Sequence, residues 1–253
     1  STMEGREPVL TNEEIVRFRE EGYLAFSGVL GDDRVAFYRS VFDGMVEEAR
    51  KLTDGVPHWS LELDSEGKPI EGFLHKVQGV CVVEPRILQL ASEPAILDRV
   101  EALVGPNIDL FGTKFFPKLP GGGSSVHWHQ DNFYFGTISD HILSCATYLE
   151  DSDEGNGCLQ VVPGSHRSGE IAEHERRLNA HGSWTRVDKA KAVSVVVPAG
   201  SFVVFSANLL HGALDNVSDR SRYSTAWHYV PAGFVSDKFV KGEYEDRHTV
   251  RGS

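Results

Sequence analysis

In Val126-His127-Trp128-His129-Gln130-Asp131, three side chains that bind divalent metals stand two residues apart. Successive side chains of a strand alternate faces, so His127, His129 and Asp131 would share one face if this segment is extended. An imidazole and a carboxylate at i and i+2 grip one ion from one strand, but spacing alone does not choose His127-x-His129 over His129-x-Asp131. A third ligand has to come from a distant segment. His211 is the candidate: it follows the apolar residues of 201–205 and Leu209-Leu210 and precedes Gly212, the position of a strand end. Two imidazoles and one carboxylate on one side of an octahedron leave the opposite face open, which suits non-haem iron(II) oxygen chemistry. Zinc is satisfied by a similar set plus water, so a zinc hydrolase or isomerase of cupin-like fold is the alternative.

The segment after His211 separates the two. Arg222 lies eleven residues downstream, with Ser224 two further on and on the same strand face. A 2-oxo acid that chelates a metal leaves its far carboxylate inside the fold, where a planar, always-charged guanidinium matches it in two hydrogen bonds. A hydroxyl on the same face adds another. Arg222 leads directly into the apolar and aromatic run 223–230, whereas Arg220 sits in a polar turn and reads as a surface charge. Losing a buried ionic partner of this kind costs about 3–5 kcal/mol. Among the remaining histidines, His228 shares a face with Arg222 and reads as a satisfied buried residue. His58, His75, His141, His174, His181 and His248 show no partner spacing.

The elements that must position these residues change in texture along the chain. Thr11-Asn12-Glu13-Glu14 has the spacing of a helix-capping box, and Gly22 is a plausible stop. A short strand over 23–26 follows, then an amphipathic helix over 33–51 with Val35, Phe37, Tyr38, Val41, Phe42 and Met45 inward, and a third helix over 94–104. From 108 onward short β-rich runs dominate, over 109–116, 144–150, 158–162, 192–197 and 201–205, punctuated by Gly- and Pro-containing turns. Helices gathered first and strands afterwards exclude an alternating β-α-β architecture and predict a sandwich or barrel. The stretches 54–72 and 167–189 read as long surface loops, the kind that form lids or binding loops.

Three blocks together resemble the phytanoyl-CoA dioxygenase family of Fe(II)/2-oxoglutarate oxygenases. They are Trp128-His129-Gln130-Asp131, the stretch from Asn156 through Pro163-Gly164-Ser165-His166, and His211 through Arg222. The resemblance implies a mainly-β fold, a double-stranded β-helix (jelly roll, cupin-like) with N-terminal helices packed on one face. It implies Fe(II) held by His129, Asp131 and His211, 2-oxoglutarate held by Arg222, and O2 as co-reactant. Lys76 and Gln78, in His75-Lys76-Val77-Gln78, resemble a family segment whose Lys helps bind the cosubstrate. His166 falls in a structural turn. Many relatives carry Trp where this chain has Ala146, so one pocket wall differs. The carboxylate of Asp131 is retained, which goes against halogenation. The implied reaction is hydroxylation of a small molecule with release of succinate and CO2.

Composition sets the remaining bounds. The 253 residues, 40% of them hydrophobic, suffice for one domain with a sizeable core, divided as a helical part over 1–105, a barrel core over 106–235 and a tail over 236–253. A net charge of −12 excludes a nucleic-acid partner, which needs clustered cations. Three cysteines without a CxxC motif predict reduced thiols packed inside the fold. No apolar run approaches the roughly 20 residues of a membrane span, and the N-terminus lacks a basic-then-apolar leader, so the expectation is a cytoplasmic protein with no membrane partner.

Overall fold

The computed structural model describes residues 8–176, 182–236 and 244–253. Helix α1 (Asn12–Glu21) opens on the expected reciprocal cap: the Thr11 hydroxyl accepts from the Glu14 N–H, and the Glu14 carboxylate accepts from the Thr11 N–H. Strand β1 (Tyr23–Phe26) and helix α2 (Asp32–Ala49) follow. Val35, Tyr38, Val41, Phe42 and Met45 of α2 are buried, whereas Phe37 is 38% exposed. Two helical residues turn about 200°, which carries Phe37 away from the stripe that Val35 begins.

Residues 54–72 are not a loop. They hold most of an antiparallel hairpin, β2 (Trp59–Leu63) against β3 (Pro69–Gln78). Only its polar turn has loop composition, and there Asp64 Oδ1 accepts the N–H groups of Glu66 and Lys68. Helices α3 (Val80–Val83), α4 (Pro85–Ala91) and α5 (Pro94–Val104) lead to β4 (Ile108–Phe116), β5 (Val126–His129) and the short helix α6 (Asp131–Phe135). The rest is strand-rich: β6 (Leu143–Thr147), β7 (Leu159–Val161), β8 (Glu175–Arg176), β9 (Ser183–Trp184), β10 (Val193–Val195), β11 (Phe202–Ser206), β12 (His211–Ala213), β13 (Ser224–Pro231) and β14 (Arg247–Arg251).

These strands form two main antiparallel sheets. The larger runs β1-β11-β6-β13-β4-β3-β2, with β14 also on β4, and the smaller runs β10-β7-β12-β5. The alternation along β6 and β11 shows how the layers assemble. Ala146, Val203 and Phe205 pack with Leu159 and Val161 of the smaller sheet, while Leu143, Cys145, Phe202 and Val204 face the other way into a core shared with α2, α4 and α5. Both faces of the larger sheet are therefore covered, which is why β11 reads as an unbroken apolar run. The architecture is the jelly roll with helices on one face. Its first 105 residues are not purely helical, because β1 and β3 join β11 and β4 of the larger sheet and β2 pairs with β3.

Two further expectations meet the structure in part. The stretch 167–189 contributes the paired β8 and β9, and residues 177–181 within it lie outside the described residues. The expected tail over 236–253 ends in β14, which pairs with β4. Arg247 anchors it: its Nε donates to Asp109 Oδ2 at 2.9 Å, with both side chains almost fully buried. No helix among the described residues is long and apolar enough to cross a membrane.

Removing the guanidinium would take the Arg247 ion pair from the buried Asp109 carboxylate. We expect Arg247→Met to lower the unfolding free energy by about 3–5 kcal/mol in urea titrations. A loss below about 1 kcal/mol, the scale of an exposed pair, would show that β14 docks without this contact.

Candidate active site

The strand register of the smaller sheet builds the site. β12 pairs antiparallel with β5, with His211 directly opposite His129 and their rings 4.2 Å apart. Gly212 permits this approach, since a Cβ there would stand 2.9 Å from the Val126 carbonyl oxygen. Asp131 reaches the same point by a route that strand alternation does not describe. β5 ends at His129, Gln130 is extended, and Asp131 is the first residue of α6. His129 Nε2 lies 3.0 Å and His211 Nε2 3.3 Å from Asp131 Oδ1. One ligand atom from each of the three lies within 4.8 Å of the others.

Hydrogen bonds settle which nitrogens face inward. His129 Nδ1 donates to the His127 carbonyl at 2.7 Å and His211 Nδ1 to the Leu209 carbonyl at 2.9 Å. Each imidazole thus turns Nε2 toward Asp131, the orientation that backbone carbonyls impose on metal-binding histidines. Of the two pairs that spacing allows, the structure brings His129 and Asp131 together with His211, and the His127 carbonyl accepts from His129. Burial alone would raise the Asp131 carboxyl, but His211 and His129 hold it well below the usual carboxylate range. Burial would likewise lower His211, but Asp131 outweighs it and raises the imidazole. Two imidazole nitrogens and a carboxylate oxygen converge in a nearly dry place, the donor set that a divalent cation takes, and that is the fit of a metal to this site.

The second oxygen of Asp131 is also held. Ser144 Oγ on β6 donates to Asp131 Oδ2 at 2.6 Å and lies 3.0 Å from His228 Nδ1 on β13. Burial, reinforced by Lys114, pushes His228 down to about 3, so at neutral pH its imidazole is uncharged. With its one proton given to Asp131, Ser144 accepts from the His228 Nδ1–H. His228 Nε2 then faces Lys114 Nζ at 3.5 Å, and Lys114 also donates to the Gly112 carbonyl at 2.7 Å. Burial lowers the Lys114 ammonium to about 8 although Asp131 favours its charge.

A cavity of about 130 Å3 starts at this cluster and ends at Arg222 and Ser224, with Ala146 in its wall. Arg222 is 5% exposed. Its guanidinium donates to the Gly157 carbonyl and, at 2.7 Å, to Ser224 Oγ, while Nε has no hydrogen-bond partner among the described residues. No carboxylate pairs with it among those residues. Burial accordingly lowers its pKa. Gly157, at φ 93°, is needed here, because a Cβ would stand 2.4 Å from Lys118 Cε. Lys118 is a second buried cation beside Arg222. Burial, then Arg222, presses it down to about 7, and its Nζ also lacks a partner among the described residues.

A larger cavity of about 420 Å3 adjoins the cluster, with His129 and Asp131 in its lining. Lys76 and Gln78 line this cavity and not the smaller one. Burial lowers the Lys76 ammonium. Sequence reasoning missed Lys114, Ser144, Lys118 and the buried Glu62–His75 pair. Lys114 left a readable sign, a lone cation between Thr113 and Phe115 in a buried strand. Ser144 left none.

Fold and site define a jelly-roll enzyme with a two-histidine, one-carboxylate metal centre and a basic pocket beside it. Comparison with known proteins agrees. Residues 18–224 match the phytanoyl-CoA dioxygenase (PhyH) family. The peroxisomal phytanoyl-CoA dioxygenase of Homo sapiens is 30% identical over 236 residues, covering 88% of this chain and 69% of its own. The L-proline trans-4-hydroxylase of Streptomyces griseoviridis is 27% identical over 231 residues, covering 82% of this chain and 81% of its own. The crystal structure of EctD from S. alaskensis with bound Fe superposes with a TM-score of 0.74 at 16% identity, covering 98% of this chain and 89% of that one. The chain belongs to the phytanoyl-CoA dioxygenase family and is an Fe(II)- and 2-oxoglutarate-dependent dioxygenase.

Removing the Ser144 hydroxyl frees one oxygen of the Asp131 carboxylate. Ser144→Ala should weaken iron(II) binding by about 10- to 100-fold in chelator competition while leaving the circular dichroism spectrum unchanged. Unaltered affinity would show that Asp131 needs no such support.

Proposed function

We propose that His129, Asp131 and His211 hold the iron and that Arg222 and Ser224 receive the far carboxylate of 2-oxoglutarate. The larger cavity then presents a C–H bond of a small molecule to the open side of the metal. One observation carries this reading. A buried guanidinium, without a carboxylate partner among the described residues, lines the same small cavity as the three-ligand cluster. An anion in that cavity satisfies the unpaired Nε–H of Arg222 and the buried charge together. A zinc hydrolase has no use for Arg222 and Ser224. Lys76 and Gln78, reaching in from the larger cavity, are assigned to the metal end of the cosubstrate.

When bound, iron(II) and 2-oxoglutarate activate dioxygen, with succinate and CO2 as coproducts and a hydroxylated substrate as product. The protein's own residues position the reactants and keep water out. Ser144 and His228 fix the tilt of the Asp131 carboxylate, and Tyr134 and Phe135 of α6 wall the larger cavity. A small-molecule substrate agrees with the proline hydroxylase among the relatives. We place the protein in the cytoplasm, a reducing compartment in keeping with Cys81, Cys145 and Cys158, all buried and free.

Titrating 2-oxoglutarate into anaerobic protein loaded with Fe(II) should give a weak visible charge-transfer band. In Arg222→Ala the band should require at least about 100-fold more 2-oxoglutarate, as expected when one partner of a buried charge pair is removed, with iron content unchanged. Equal loss of iron and of cosubstrate would show that Arg222 has another task.

A further inference from the structure

The hairpin β2–β3 delivers two titratable side chains to the wall of the larger cavity. Glu62 and His75 both line it and both are buried. His75 Nδ1 donates to Glu62 Oε1 at 2.9 Å, and the Ser124 N–H donates to the same oxygen at 3.2 Å. Burial would raise the Glu62 carboxyl, but His75 and Ser124 outweigh it and hold the pKa below its ordinary value. The group is therefore an anion at neutral pH. These two bonds use about half of what a carboxylate accepts, and both fall on one oxygen.

Among the described residues lining the larger cavity, Glu62 and Asp131 are the only carboxylates. Asp131 belongs to the metal cluster and has both oxygens engaged. No Lys or Arg stands within ion-pair distance of Glu62 among the described residues, although Lys76 and Lys114 line the same cavity. A carboxylate held ionised on a largely dry wall, with acceptor capacity remaining, favours a cation or a strong hydrogen-bond donor arriving from the cavity. Its neighbour Ser124 precedes β5 by two residues, so the strand that ends in His129 fixes the distance between this wall and the metal.

We infer that Glu62 is a substrate-binding residue that receives a protonated amine. The substrate is then a compact ammonium compound, such as an amino acid or alkylamine, and not an acyl thioester. The inference rests on the proposed function, because it assumes that the larger cavity faces the open side of the iron. His75 and the Ser124 N–H are positioning groups: they hold the carboxylate and do not touch the substrate.

The test is a panel assay on the iron-loaded full chain with 2-oxoglutarate and oxygen, reading succinate release above the substrate-free rate. The probes are small primary and secondary amines and amino acids, their N-acetyl derivatives, and short acyl-CoA thioesters. Turnover should be raised by amines, and N-acetylation of any active probe should abolish it. For that probe Glu62→Gln should raise KM by about 100-fold with kcat changed far less, and Glu62→Asp should fall between. A purely structural role for Glu62 would instead lower thermal stability and leave KM in the folded variant unmoved. Activity with thioesters or N-acetyl compounds equal to that with amines overturns the inference. So does a panel in which no amine responds although wild-type protein forms the anaerobic iron–cosubstrate band. Absence of that band in wild type overturns the underlying function itself, and the two failures are told apart.

Discussion

Three acceptor atoms, two imidazole nitrogens and one carboxylate oxygen, are forced together in a place with little water. The strand pairing that sets His211 opposite His129 and the short helix that turns Asp131 inward hold them there. Such a meeting is stable when a divalent cation occupies its centre, so much of the surrounding structure can be understood as support for one ion. Backbone carbonyls orient both rings, and the Ser144–His228–Lys114 chain orients the acid.

That support depends on the layers. The larger sheet is packed on its outer face by helices and on its inner face by the smaller sheet, so β6 and β13 deliver Ser144, His228 and Ser224 from a rigid wall. The two cavities meet at the metal ligands. One narrows to a buried arginine, the other widens to a polar wall built from β2 and β3. Two basic side chains, Arg222 and Lys118, lie together, both lowered by burial, and among the described residues neither has a carboxylate within ion-pair distance. The chain as a whole carries a net charge of −12, so this local excess is a feature of the pocket and not of composition.

The convergence of His129, Asp131 and His211 and the burial of Arg222 were legible because their chemistry is rare at those spacings and the strands around them are strongly apolar. The jelly roll was legible from short β-rich runs broken by glycine and proline. What escaped notice has physical reasons. The hairpin at 59–78 hid behind an acidic turn and a half-exposed strand, so its period was weak, and with it the Glu62–His75 contact across 13 residues. Strand alternation gave the right partner for His129 by an incomplete route, since Asp131 begins a helix. Ser144 has an unremarkable sequence setting, and only the pairing of β6 with β13 places it against Asp131. β14 was taken for a tail because its charged residues do not alternate with apolar ones. Burial of Arg247 against Asp109 is a tertiary event that local pattern does not encode.

The most direct measurement is anomalous diffraction at the iron absorption edge from crystals grown anaerobically with Fe(II) and 2-oxoglutarate. A single strong peak should lie about 2.0–2.2 Å from His129 Nε2, Asp131 Oδ1 and His211 Nε2, the distance range of such ligands around a first-row divalent metal. A peak elsewhere, or none in protein that retains its fold, would contradict the convergence of these three side chains on one metal.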